Sequence, residues 1–402
     1  MSTQDIYDAV YPILLTTGSF GLSAVFIETK NNTRKLAVFN LLKILNIVYL
    51  SLFSALLYVV LTNLQHTQLH LNYNAGVTKI GIIFQILANI MVTYVIYLIN
   101  ISNSHKILTC IESIKKADMK FRDLGEKIIY RKHFLYEICM IFVGFLAILG
   151  RSIVTLIYMG RNIFLTTDET HFALFFPLFV SYLVQINFVL LITLVHERFA
   201  LINRLLTNFN AEKINHNYLN SKPSHEYQTK HTQPKIELLM ELHDFLTDVG
   251  NKLNDSFSVQ ILSCLTSQFL TEVFTIFYLY YESLILKNKI AALVWFMWAL
   301  WTTLEIFYVT INCHLTTKEA KNTGIAIHKV LMNESDPNVK RKLMVFSQQI
   351  NHRPLQFTAC GLFYIDATLI FTIVGAAATY LLIMLQFQEG IEAQCSNNTL
   401  IN

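Results

Sequence analysis

The sequence predicts an all-α, polytopic membrane protein with seven transmembrane helices, and three observations carry that prediction. First, only 14% of the 402 residues are charged while 53% are hydrophobic, and the mean hydropathy is +0.44. A water-soluble domain carries about 25% charged residues, so this chain has too few to cover a solvated surface. Second, seven stretches are long and apolar enough to supply the roughly 20 residues a spanning helix needs. Third, the connections between them alternate short and long, and basic residues crowd into the long ones. The composition excludes a disordered chain and argues against an enzyme with a solvated surface. Phe (29) and Tyr (19) outnumber Gly (13) and Pro (6), so bulky packing residues are plentiful and helix breakers scarce.

The spans are S1 (36–62), S2 (76–99), S3 (133–159), S4 (172–195), S5 (256–284), S6 (290–313) and S7 (357–387). Ahead of S1, residues 9–27 hold no charge for 19 positions but contain Pro12, Gly18 and Gly21. They read as an interfacial or re-entrant piece, with an eighth span as the alternative. Asp5 and Asp8 stand where a cleaved leader would be basic, so no signal peptide is expected. The connections S2–S3 (100–132), S4–S5 (196–255) and S6–S7 (314–356) are long and polar. Together with Lys30, Arg34 and Lys35 they hold 25 of the 31 basic residues, against four (Lys79, Arg161, Lys287 and Lys289) on the other face. By the positive-inside rule the N-terminus and the long loops are cytosolic and the C-terminus is extracellular.

Within the S4–S5 loop, the polar stretch from Asn210 to Gln233 reads as a mobile insert. The flanking segments ERFALINRLLTNF and KIELLMELHDFLTDVGNKLNDSF repeat apolar residues at helical spacing, as does Leu343–Ile350 before S7. They predict cytosolic helices that continue S4 and S5 and precede S7, forming an intracellular helical anchor where subunits meet. Six cysteines without a CxxC pair or a His cluster support neither a metal site nor a disulfide framework. His196-Glu197-Arg198 lacks the second His of a metalloprotease helix, so no metal or other cofactor is expected.

S7 ends on Thr379-Tyr380, five apolar residues and Gln386-Phe387. This resembles the TYhhhhhQF signature of the insect gustatory receptors. Cys360-Gly361-Leu362-Phe363, Asp366 and the segment Cys313 to Gly324 resemble the same family. The resemblance is specific over 313–387, about a fifth of the chain. It implies that residues 1–402 form one subunit of a ligand-gated, non-selective cation channel passing Na+, K+ and Ca2+. The segment 1–35 would be its cytosolic N-terminus, 196–255 the S4–S5 loop with anchor helices, 314–356 the S6–S7 linker, and 357–387 the pore-lining S7. It also implies a homo- or heterotetramer with other gustatory receptors in the plasma membrane of sensory neurons. Sugar-sensing relatives carry Glu after the TY, where this chain has Leu381. That favours bitter-type or other small organic tastants, although the fructose branch also carries an aliphatic residue there. A G-protein-coupled receptor, which needs the opposite topology, and a transporter, which needs internal repeats, are the rivals from other classes.

Helical spacing puts Thr379, Ile383 and Phe387 on one stripe with Gln386 beside it. On the family reading Ile383 forms an apolar constriction and Gln386 a neutral outer mouth; the alternative is a stripe packed on S5 and S6. Gly375 to Ala378 would let helices approach closely, and the Tyr380 hydroxyl would bond a neighbouring helix. Glu389 and Glu392 form either an acidic vestibule or a solvated tail, and Asn397 opens a glycosylation sequon. For the tastant, the intramembrane ions come first. Arg151 pairs with Glu272 or, deeper, with Glu305. Around that level Tyr158, Tyr182, Tyr278, Tyr281, Trp295 and Trp298 offer an aromatic lining suited to a small organic molecule.

Overall fold

The structure, a computed structural model, describes residues 5–30, 33–66, 76–159, 168–218 and 225–399. Helix α1 (Ile6–Ser19) opens the chain, with Ile6, Val10 and Ile13 fully buried where it packs on α4 and α5. At 14 residues it measures about 21 Å, well short of the roughly 30 Å hydrocarbon core. After it, Gly21 takes φ +69, and a Cβ there would meet the Asn46 backbone at 2.9 Å. The chain then forms an antiparallel hairpin of β1 (Val25–Lys30) and β2 (Thr33–Val38) with Val25 opposite Val38. Residues 9–27 therefore divide between helix and strand, which removes the eighth-span alternative.

Seven helices among the described residues are long and apolar enough to cross a membrane. They are α2 (Asn40–His66), α3 (Gly76–Asp123), α4 (Tyr130–Met159), α5 (Asp168–Tyr218), α6 (His225–Tyr280), α7 (Lys289–Asn333) and α9 (Ala367–Thr399). Helix α6 ends in a π-helical turn, Tyr281–Ile285. Burial ranks the helices: 78% of the apolar window of α5 is buried, against 11% for α2 and for α9. Apolar side chains without protein cover are what lipid requires, because backbone groups are satisfied inside each helix. Thus α5 is the axis of the subunit, and α2 and α9 are peripheral.

The long polar connections are largely helical, as the apolar spacing predicts for the continuations of S4 and S5 and the helix before S7, whereas the helical continuation of S2 corrects the sequence expectation. Helix α3 runs 24 residues beyond the expected end of S2, burying Ile107, Ile111, Ile114, Ala117 and Phe121 at three- and four-residue steps. The expected mobile insert is helical up to Tyr218 and again from His225, while 219–224 lie outside the described residues. Phe199, Ile202 and Leu206 of α5 share one buried cluster with Leu239, Leu242, Leu246 and Val249 of α6 and Ile327 and Val330 of α7, and helix α8 (Pro337–His352) packs on α6 and α7. Asp336 caps α8 by accepting from Asn338 N at 2.8 Å, with Pro337 at the first helical position. Its Leu343, Phe346 and Ile350 complete the packed stripe. Mean hydropathy alone passes over such helices, because one apolar stripe in a polar helix averages to a polar window; spacing marked those of α5, α6 and α8 but not that of α3.

Polar contacts fix the bundle's register. Arg198 holds Asp118 through two 3.0 Å bonds, both side chains 2% exposed, and Tyr130 donates to the same carboxylate at 2.7 Å. Arg353 bridges Asp244 and Asp248 of α6 at 2.6 Å each. The expected S7 also starts too early. Residues 357–366 hold a hairpin of β3 (Thr358–Ala359) and β4 (Phe363–Tyr364), turned by Cys360 and Gly361 at φ 52 and 71. Asp366 then caps α9, accepting from Thr368 N at 2.8 Å, and the Thr368 bonds hold its carboxyl below the usual carboxylate range.

Candidate functional site: two cavities against helix α7

Arg151, on α4, is buried, but the expected ion pair is absent. Among the described residues no carboxylate lies within 4.0 Å of it. Its guanidinium instead sits 4.0 Å from the ring centroid of Trp298 on α7. A planar, weakly hydrated cation on an indole face is a favourable substitute for a carboxylate partner. The two acids bond elsewhere. Glu272 Oε1 accepts from Thr303 at 2.9 Å, and Glu305 accepts from Gln268 at 2.7 Å and from the Trp301 indole N–H. From Arg151 an aromatic ladder runs along α7 and α6. Trp298 lies 6.4 Å from Trp295, Trp295 4.6 Å from Tyr278, Tyr278 5.9 Å from Phe277, and Phe277 6.2 Å from Tyr281. The predicted residues Arg151, Trp298, Trp295, Tyr278 and Tyr281 are thus brought together as packing. The side chain of Tyr158 lies outside the described residues.

A cavity of about 270 Å³ opens between α4, α5 and α7, and of the predicted residues Tyr182 lines it. The Tyr182 hydroxyl donates to Met140 O at 2.6 Å, and its ring lies so close to Gly144 that a Cβ there would overlap it. Trp301 faces Tyr182 at 6.2 Å. The remaining polar lining is Gln185, Glu305 and Tyr308, and Tyr308 exchanges a 2.6 Å bond with Tyr136. The Gln185 amide is buried, with the Cys264 thiol beside it. Aromatic walls with a few convergent polar groups suit a small organic ligand. The sequence reading passed over Gln185, Trp301 and Tyr308. Their signal was spacing: Gln185 follows Tyr182 by three residues, and Trp301, Glu305 and Tyr308 share one face of α7.

A second cavity, about 360 Å³, lies between α6, α7 and α9 and is lined by Glu272, Thr303, Ile373, Ala377 and Leu381 among others. Helix α9 has two faces. Leu381, Met384 and Leu385 pack on the cluster of Phe277, Tyr278 and Trp295. Thr379, Ile383, Gln386 and Phe387 are exposed on the other side, with Ile383 40% and Phe387 65% exposed. Two expectations need correction here. Gly375 faces open space and mediates no close helix approach, while Ala377 and Ala378 line the crevice. The Tyr380 ring meets Phe269 edge-on at 6.1 Å, with no hydroxyl bond to a neighbouring helix among the described residues. Glu389 is exposed; the side chains of Glu392 and Asn397 lie outside the described residues.

Residues 11–391 match the family described as 7tm Chemosensory receptor. Gustatory receptor 28b of Drosophila melanogaster is 24% identical over 416 aligned residues, covering 96% of this chain and 87% of its own. Gustatory receptor 28a of the same fly is 25% identical over 337 residues, 73% of each chain. Among solved structures, the insect olfactory receptor OR5 of Machilis hrabei, in complex with eugenol, is similar with a TM-score of 0.63 at 13% identity. That likeness covers 94% of this chain and 97% of that one, and it is one of fold.

Proposed function

Because this chain belongs to the 7tm chemosensory receptor family, we propose that it is a tastant-gated, non-selective cation channel of sensory-neuron plasma membranes. It is a gustatory receptor with no enzymatic role. It works as a tetramer, homomeric or shared with other gustatory receptors, in which α9 lines a central pore passing Na+, K+ and Ca2+. The N-terminus and the helical bundle below the spans face the cytosol, following the 25 basic residues on that side.

The observation that carries this reading is the two-faced α9. A helix clad only by lipid has no use for Gln386 on its uncovered side, whereas Thr379 bonds Gly375 O within the helix at 3.0 Å. Around a fourfold axis Gln386 and Thr379 meet water, and Ile383 and Phe387 form an apolar constriction that closes by dewetting. Tastant binds in the cavity of Tyr182, Gln185, Trp301, Glu305 and Tyr308. At about 270 Å³ this lies near the small end of ligand pockets, roughly 300–1,000 Å³, so compact molecules are favoured. Its walls are mostly apolar, and with Leu381 after the TY pair this supports bitter-type or other small organic ligands over sugars. Ligand contact with Trp301 and Glu305 shifts α7, and α7 bears on α9 through Leu381 and the Trp295 cluster.

Currents recorded from cells expressing this chain, with a panel of alkaloids and sugars, test the reading. Ile383→Ala should raise basal current, and Gln386→Ala should change relative ion permeability. Tastant currents indifferent to both substitutions would sink the pore assignment.

A further inference from the structure

We propose that the crevice between α6, α7 and α9 is a second binding site, distinct from the tastant cavity, for a lipophilic amine entering from the bilayer. Glu272 supplies the only charge among its lining residues. The residue is 6% exposed, so it is desolvated. Its Oε1 is taken by Thr303, while among the described residues Oε2 has no hydrogen-bond partner and no cation within 4.0 Å. The nearest candidate cation, Arg151, is spent on the Trp298 ring. An uncompensated carboxylate oxygen beside an empty space is costly, and a protonated amine supplies the missing charge-assisted bond.

The rest of the lining fixes the remainder of the ligand. Ile276, Ile306, Ile370, Ile373, Ala377 and Leu381 are apolar, so the amine must carry an alkyl or aryl body. At about 360 Å³ the space holds a body of drug-fragment size. The entrance lies on the lipid side, since Val374 at its rim is 63% exposed and Phe307 46%. A molecule dissolved in the hydrocarbon therefore reaches Glu272 without crossing the helix bundle. Once seated, it sets the separation of α9 from α6 and α7. The binding step does not depend on what α9 lines, so it can be tested without measuring current.

The test is photolabelling of the full chain in lipid nanodiscs with a dimethylalkylamine carrying an aliphatic diazirine, and with the alcohol of the same chain. Peptide mapping should find the amine on residues 303–307 and 370–381. Glu272→Gln should lower that labelling by about tenfold, the loss expected for one charge-assisted bond. The alcohol should label weakly and equally in both proteins. Ala378→Leu, at an exposed position on the crevice wall, keeps the carboxylate but fills the space, and it should also reduce amine labelling. Equal labelling by amine and alcohol, insensitive to Glu272, would mean that lipid-like molecules fill the crevice and would overturn the proposal. So would amine labelling confined to the Tyr182 cavity. Channel recordings enter neither outcome, so a failure of the pore reading remains a separate result.

Discussion

A single missing methyl group shapes the cavity lined by Tyr182. Gly144 lets the Tyr182 ring lie against the α4 backbone, where its hydroxyl reaches Met140 O at 2.6 Å. Gly144→Ala drives a Cβ into that ring, and overpacking of this kind costs about 1–3 kcal/mol. Tyr182→Phe removes only the hydroxyl bond, worth about 1 kcal/mol. Thermal melting of the purified protein should therefore rank Gly144→Ala below Tyr182→Phe. Adding Tyr182→Ala to Gly144→Ala should cost less than the sum of the single changes, because the clash is relieved. Strict additivity would show that the two residues do not press on one another. The sequence could say that Arg151 needs a partner, but not that an indole would take the place of a carboxylate. That choice depends on helix rotation: α7 turns Trp298 toward α4 and leaves Glu305 to Gln268 and Trp301. Gln185 shows the same limit from the other side. One amide in an apolar helix is unremarkable until folding sets it beside Tyr182 and Tyr308.

Elements meet through two similar ion clusters that differ in burial. Arg198, shared between Asp118 and Glu197, is 2% exposed, whereas Arg353, shared between Asp244 and Asp248, is 49% exposed. Breaking a buried pair leaves a desolvated charge and costs about 3–5 kcal/mol, while exposed pairs contribute about 0–1 kcal/mol. Asp118→Ala should lower the yield of monodisperse protein and its melting temperature sharply. Arg353→Ala should change them little. Comparable losses would mean that α8 relies on the Arg353 bridge more than on its buried Leu343, Phe346 and Ile350. The spans were legible in the sequence because a membrane demands uninterrupted apolar runs, and α4 matches S3 to within three residues at its start. The helices below them were legible only as stripes, such as Phe199, Ile202 and Leu206, and the stripe in α3 was missed. The start of α9 was misplaced because Phe357 and Leu362 are apolar, and apolarity does not reveal the turn at Cys360 and Gly361.

At the scale of the whole molecule, the proposed orientation rests on the 25 basic residues assigned to one face. An epitope tag after Asn402 should bind antibody on intact cells, and one inserted between Asn220 and Ser221 should bind only after permeabilisation. The reverse pattern would overturn the proposed sidedness. Orientation also decides which end of α9 is held. Before α9 begins, Thr358 N bonds Asn254 at 2.9 Å and Cys360 N bonds Ser258 at 2.6 Å, both on α6. The small hairpin is therefore a pivot riveted to α6, and the 33-residue helix above it is a lever about 50 Å long. A tilt of ~10° about that pivot carries Ile383, ~24 Å along, sideways by ~4 Å and the far end by ~8 Å. Small adjustments between α6 and α7 are thereby magnified with distance from the hairpin, and Ile383 lies about halfway along the arm.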